Sequence, residues 1–126
     1  MSIYEMLFAF VFGGAAYVLI ELLYRGRSHI SMAFAGGICF LLLHLLFTYR
    51  PKMGLIEKCA AGFIIITAVE FLFGLAVNIA LKLKVWDYSN QRFNLFGQVC
   101  LKYSLCWAAL TVPIAYISKL LRAFFA

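Results

Sequence analysis

Of the 126 residues, 66% are hydrophobic and only 13% charged, whereas soluble domains carry about a quarter charged residues, so a water-soluble globule is excluded. At roughly 20 apolar residues per crossing, a chain of this length has room for about four membrane spans in one domain. The formal charge of +6 does not point to nucleic acid, because the eleven Lys and Arg residues gather at the ends of apolar runs, where anionic lipid headgroups are the natural counter-charge.

The first apolar run, residues 3–24, is closed by Arg25-Gly26-Arg27. No basic stretch precedes it and it continues past any plausible cleavage point, so it reads as a retained helix rather than a cleaved leader. The second, 30–49, stops at Arg50-Pro51-Lys52, since proline disfavours helix at the residue before it. The third, 57–81, ends in Lys82-Leu83-Lys84, and a mixed segment from Val85 to Phe93 leads into the fourth, 94–121, closed by Lys119 and Arg122. Connections this short make successive helices antiparallel. The predicted fold class is therefore all-α: a single transmembrane domain, residues 1–126, forming an up-down bundle of four helices in the lipid bilayer.

Small residues sit inside the runs at Gly13, Gly14, Ala15, Gly36, Gly37, Gly62 and Gly74, where close backbone approach drives helix association in lipid. Pro113 removes the hydrogen bond to the Ala109 carbonyl and should kink the fourth helix. Cys39, Cys59, Cys100 and Cys106 form neither a CxxC pair nor a zinc-like spacing and read as membrane-buried thiols.

With four spans, the second connection and both termini share one side, carrying Arg50, Lys52, Lys58, Lys119 and Arg122. The first and third connections carry Arg25, Arg27, Lys82, Lys84 and Arg92 on the other. Five basic residues against five leave orientation unset by the positive-inside rule. A single orientation set by the first helix or a partner is compatible with this balance, and so is dual insertion with antiparallel homodimerisation.

Charged side chains at bilayer depth cost about 2.5–3.5 kcal/mol each on insertion scales and persist where a partner, cavity or function compensates. Glu21, Glu70 and Lys102 are the candidates. At about 1.5 Å rise per residue, Glu21 lies about 6 Å below the side of the first and third connections, Glu70 about 18 Å and Lys102 about 12 Å. A Glu70–Lys102 contact is thus geometrically open. Asn94, Gln98 and Lys102 recur every four residues on the fourth predicted helix, as do Glu70, Gly74 and Asn78 on the third, and both stripes open toward one face. His29, Asp87, Ser89 and Asn90 gather at that face, so a water-filled cleft is expected there. Such a network can equally be a satisfied structural device that fixes helix register. His44, about 9 Å from Arg50 along its helix, reads as a packing histidine; with one other histidine in the chain, no His-rich metal site can form.

Trp86 and Tyr88 suit the headgroup layer, while Asp87 or Ser89 can close a turn. No phosphate-binding loop, nucleophile elbow, HExxH helix or dinucleotide-binding glycine pattern occurs, so the chain is expected to be neither an enzyme nor dependent on a cofactor or metal.

Three stretches carry a family resemblance: Glu21-Leu22-Leu23-Tyr24-Arg25-Gly26-Arg27-Ser28-His29, then Glu70-Phe71-Leu72-Phe73-Gly74, then Val85-Trp86-Asp87-Tyr88-Ser89-Asn90 with Phe93-Asn94-Leu95-Phe96-Gly97-Gln98. Together they resemble the bacterial family labelled type IV ABC-transporter permease, over most of the chain. The resemblance implies a transport component of the inner (plasma) membrane working with a separate ATPase subunit. It singles out Glu21, Arg25, Arg27, His29, Glu70, Trp86, Asp87, Asn90, Asn94 and Gln98. Lys102 departs from it, an apolar residue being expected there. Four spans are few for such a permease, which implies several copies or additional subunits.

The sequence thus predicts a small, transport-related membrane protein with a polar cleft around Glu70. The candidate ligand-contacting residues are Glu70, Glu21, Lys102, Asn94, Gln98, Asn78, Asp87, Asn90, His29, Arg25 and Arg27. The alternatives are a dual-topology homodimeric exporter or ion channel, and a non-transporting subunit that binds another membrane protein.

Overall fold

The computed structural model describes all residues, Met1–Ala126. Four helices are long and apolar enough to cross a membrane: α1 (Ile3–Arg25), α2 (Ile30–Tyr49), α3 (Leu55–Gly74), which continues as a π-helical segment over Leu75–Ala80, and α4 (Leu101–Phe125). Between α3 and α4 lies a short antiparallel hairpin of β1 (Asn94–Leu95) and β2 (Val99–Cys100), with Asn94 opposite Cys100 and Leu95 opposite Val99. The fold class is all-α, as the composition requires.

The ends of the helices follow from local chemistry. Ser2 Oγ accepts the Glu5 N–H at 3.2 Å and caps α1, and Gly26, at φ +73°, ends it in the left-handed conformation that glycine adopts without strain. The His29 ring accepts the Ser31 N–H at 3.1 Å and caps α2. Helix α4 runs unbroken through Pro113.

Packing uses the small residues. A Cβ on Gly13 or Gly36 would meet the backbone or side chains of the opposite helix, which fixes the close α1–α2 crossing; one on Gly62 would collide with Thr111, fixing α3 against α4. A central cluster of Leu43, Phe47, Ile66, Trp107 and Ala115 joins α2, α3 and α4, and Ala9, Phe40 and Leu121 form a second cluster joining α1, α2 and α4. Large apolar side chains such as Leu23, Ile56 and Phe124 are at least 80% exposed, a surface that only lipid can cover at tolerable cost.

The third and fourth helices differ in extent from the sequence expectation, the fourth also running on to Phe125. The third helix begins at Leu55 and changes to π geometry after Gly74. The fourth begins at Leu101 rather than at residue 94, because Phe93, Phe96 and Gly97 all have positive φ and the Asn94 carboxamide closes a turn by accepting the Gly97 N–H at 3.0 Å. A segment with three left-handed residues cannot begin a right-handed helix.

Candidate functional site: a cleft beside Glu70

A cleft of about 580 Å³ opens at the end of the bundle where α1 stops and α4 starts. Helix α1 contributes Ile20, Glu21, Tyr24 and Arg25, and Arg27 follows from the first connection. The segment after the π-helix adds Lys84, Trp86, Asp87, Tyr88 and Gln91, and α4 adds Lys102, Tyr103, Cys106 and Trp107. Glu21 is held by its own helix: Arg25, one turn on, pairs with it at 2.8 Å while also donating to the Val85 carbonyl at 2.6 Å. The same guanidinium therefore satisfies a buried carboxylate and pins the third connection to α1.

Glu70 lies one residue layer behind the cleft wall. Its Oε2 accepts the Tyr88 hydroxyl at 3.1 Å and its Oε1 accepts the Trp107 indole N–H at 3.2 Å, and both donors line the cleft. No cation pairs with Glu70; its company is two neutral donors in an aromatic wall. In that wall Tyr88 stacks on Tyr103 with ring centroids 5.0 Å apart and the Tyr24 and Tyr103 hydroxyls lie 3.3 Å apart, while Tyr17, behind the wall, meets Trp107 edge-on at 5.8 Å. Burial, and then the neighbouring Glu70 carboxyl, push the Tyr88 phenol well above the ordinary tyrosine range.

Lys102 does not reach Glu70. As the second residue of α4 it sits at the helix end instead of one third of the way down, exposed, with its amine 5.4 Å from the Tyr103 ring centroid. The cause is the displaced start of α4, which removes the helical offset from which its depth follows. For the same reason Asn94, Gln98 and Lys102 do not form a helical stripe. Gln98 is buried and instead accepts from Asn78 Nδ2 at 2.8 Å, while the Asn78 carboxamide oxygen accepts the Val85 N–H at 2.7 Å. Gly74 makes room for it, since a Cβ there would stand 2.5 Å from Gln98 Oε1. Asn78, Gln98 and Asn94 thus brace the segment that carries Trp86 and Tyr88, and the Trp86 indole donates to the Gln98 carbonyl at 2.9 Å. Asp87 closes its own turn by accepting the Ser89 N–H at 2.9 Å. His29 lines a smaller hollow beside the cleft with Arg25, Arg27 and Lys84, and Asn90 is an exposed turn residue outside both.

A second polar cluster, at the opposite end, escapes sequence reasoning. Glu5 and His44 are fully buried. His44 Nε2 lies 2.5 Å from Glu5 Oε2 and its Nδ1 lies 2.6 Å from Ser118 Oγ. Arg122 completes an ion pair at 2.9 Å from Glu5 Oε1, off line for a hydrogen bond. The packing histidine is therefore the centre of a network tying α1, α2 and α4 together. The available signal was parity of position: Glu5 near the start of α1, His44 near the end of α2 and Ser118-Arg122 near the end of α4 fall at one level of an up-down bundle.

The family described as "Putative ABC-transporter type IV" matches residues 3–125. The chain belongs to that family. No curated protein and no solved structure matches it. Membership makes this a transporter-family membrane protein, and the family match takes in both polar clusters as well as the hairpin between α3 and α4.

Two outcomes follow from the geometry. Replacing His44 by leucine leaves Glu5 Oε2 and the Ser118 hydroxyl without their partner, with only the Arg122 contact remaining to the carboxylate, so H44L should lose about 2–4 kcal/mol of resistance to unfolding in mixed detergent micelles. Glu5→Leu, His44→Leu and Ser118→Ala combined should recover most of it, because a matched apolar replacement of a buried ionic network is close to neutral; a triple variant as weak as H44L would contradict this account. Separately, a phenol whose folded-state pKa is raised keeps its stabilising contribution below the unfolded value and loses it as pH climbs through and beyond about 10. The tyrosinate absorbance difference between wild type and Tyr88→Phe should be nil near that pH in the folded protein and about half of one tyrosine in denaturant.

Proposed function

We propose that this transporter-family protein is the membrane-embedded, non-catalytic component of an inner-membrane transporter that works with a separate ATPase subunit. In this account the cleft is its substrate site. One observation carries the proposal: the inner wall of an open polar cleft is made by Tyr88 and Trp107, and both give their single polar hydrogen to a carboxyl group buried behind it. A ligand that displaces either ring changes the hydrogen bonding of Glu70, which makes the carboxyl responsive to occupancy. Ionisable groups inside membrane proteins mark substrate or ion pathways by default. Basic side chains at Arg25, Arg27, Lys84 and Lys102 surround the mouth. Four helices enclose little space, so the working assembly contains several copies or further subunits.

Purification of the full chain from its native membranes should bring an ATP-hydrolysing subunit with it. In liposomes, Glu70→Gln in that complex should reduce the coupling of hydrolysis to substrate about tenfold or more while leaving the assembly intact. Absence of any ATPase subunit, or a Glu70→Gln complex that behaves as wild type, would overturn the proposal.

A second reading, the dual-topology homodimeric exporter or channel, rests on the near balance of basic residues. Placing Lys102 at the helix end adds it to the side of the first and third connections, so five against five becomes six against five, still close to parity. A reporter fused to the C-terminus separates the two: signal from both sides of the membrane supports dual insertion, and signal from one side excludes it.

A further inference from the structure

Below the cleft, toward the middle of the bundle, α1 and α4 part around a slot of about 140 Å³. Its walls are almost wholly apolar: Phe12 and Ala16 on one side, Leu110, Pro113 and Ile114 on the other. Ile20 and Trp107 line both cavities, so the slot adjoins the cleft through a shared wall. Ile20 is 39% exposed and Pro113 is exposed as well, which brings the slot to the lipid-facing surface between the two helices.

The charges are distributed unevenly between these compartments. The slot has no charged side chain, whereas the cleft has four basic residues against two acidic ones. Arg25 is taken by Glu21 and Asp87 is turned into its own loop. Arg27, Lys84 and Lys102 are left without an acidic partner. A basic mouth at headgroup level over an apolar slot at acyl-chain level is complementary to a molecule with the same division.

We propose that cleft and slot together bind one anionic phospholipid taken from the bilayer, its phosphate against Arg27, Lys84 and Lys102 and one acyl chain along the slot beside Trp107. This rests on the cleft being the substrate site and names the substrate class. The aromatic wall would also suit a lipophilic cation, but basic residues outnumber acidic ones around the mouth two to one, which favours the anion.

The chain has two tryptophans, so Trp86→Phe leaves Trp107 as the sole fluorophore at the junction. The full-length variant is reconstituted in phosphatidylcholine vesicles containing a minor fraction of lipid brominated on its acyl chains, either phosphatidylglycerol or phosphatidylcholine. Trp107 should be quenched at a several-fold lower fraction of the brominated phosphatidylglycerol. Neutralising Lys84 and Lys102 to glutamine should weaken that preference about fivefold per residue. As a second measurement in the otherwise unaltered protein, phosphatidylglycerol should slow maleimide alkylation of the exposed, cleft-lining Cys106 relative to phosphatidylcholine alone. Equal quenching by the two headgroups, a preference that survives neutralisation, stronger quenching by a brominated cationic amphiphile, or equal protection of Cys106 by soluble glycerol phosphate would each overturn the proposal. Because no ATPase is present in these vesicles, loss of lipid preference alone leaves the transporter reading standing with another substrate. Lipid preference without any ATPase partner instead leaves a lipid-binding protein that does not transport.

Discussion

A carboxyl group inside a lipid-embedded helix must find polar company within the protein, and the arrangement of this bundle follows from how three such groups find it. Glu21 uses its own helix, through Arg25 one turn away. Glu5 recruits His44 from α2 and Arg122 from α4. Glu70 recruits Trp107 from α4 and Tyr88 from the connection before it. Close packing at Gly13, Gly36 and Gly62 sets where the helices cross; directed hydrogen bonds to a buried carboxylate reinforce that register, because a slip of one residue leaves it stranded.

The Tyr88 contact requires the polypeptide to re-enter the bundle after α3, and the local chemistry supplies the means. Helix α3 widens to π geometry over Leu75–Ala80, and Asn78 in that stretch captures both the Val85 N–H and the Gln98 side chain. Backbone groups of an irregular connection packed into the bundle need partners, and the carboxamides of Asn78, Asn94 and Gln98 supply them to Val85, Trp86, Ser89, Gln91, Phe96 and Gly97. These amides are therefore structural supports for the two aromatic rings that reach the cleft and Glu70.

Much of this was legible in the residues. Hydropathy placed the four spans, because a bilayer demands long uninterrupted apolar runs, and the cost of burying charge singled out Glu70, Glu21 and the polar end of the bundle. What failed had one origin. Asn94, Gln98 and Lys102 are spaced as a helical stripe, and periodicity cannot distinguish that from a hairpin whose Phe93, Phe96 and Gly97 take positive φ. The false helix start moved Lys102 inward and paired it with Glu70, whereas the partners are neutral side chains from a loop and from α4. Glu5 was invisible for a different reason: a carboxylate near a chain terminus looks solvated, and only the return of α2 and α4 to the same level shows it enclosed.

The two ends of the bundle consequently differ in kind. At the Glu5 end, α1 and α4 are drawn together by an ion pair and by packing of Phe8 on Phe125 and of Ala9 with Phe40 and Leu121. At the other end the same helices part around the slot and the cleft, meeting in the edge-on contact of Tyr17 with Trp107 and the 3.3 Å contact between the Tyr24 and Tyr103 hydroxyls. An ionic network joining three helices resists separation because breaking it strands buried charge. The hydrogen bond between two phenols can be exchanged for one to water or a ligand at little net cost, since such bonds contribute only about 1 kcal/mol. Between α1 and α4, the charged contact lies where the two helices stay together and the exchangeable one where they diverge, so a ligand entering between them leaves the Glu5 network untouched while it reaches Trp107 and, through that ring, Glu70.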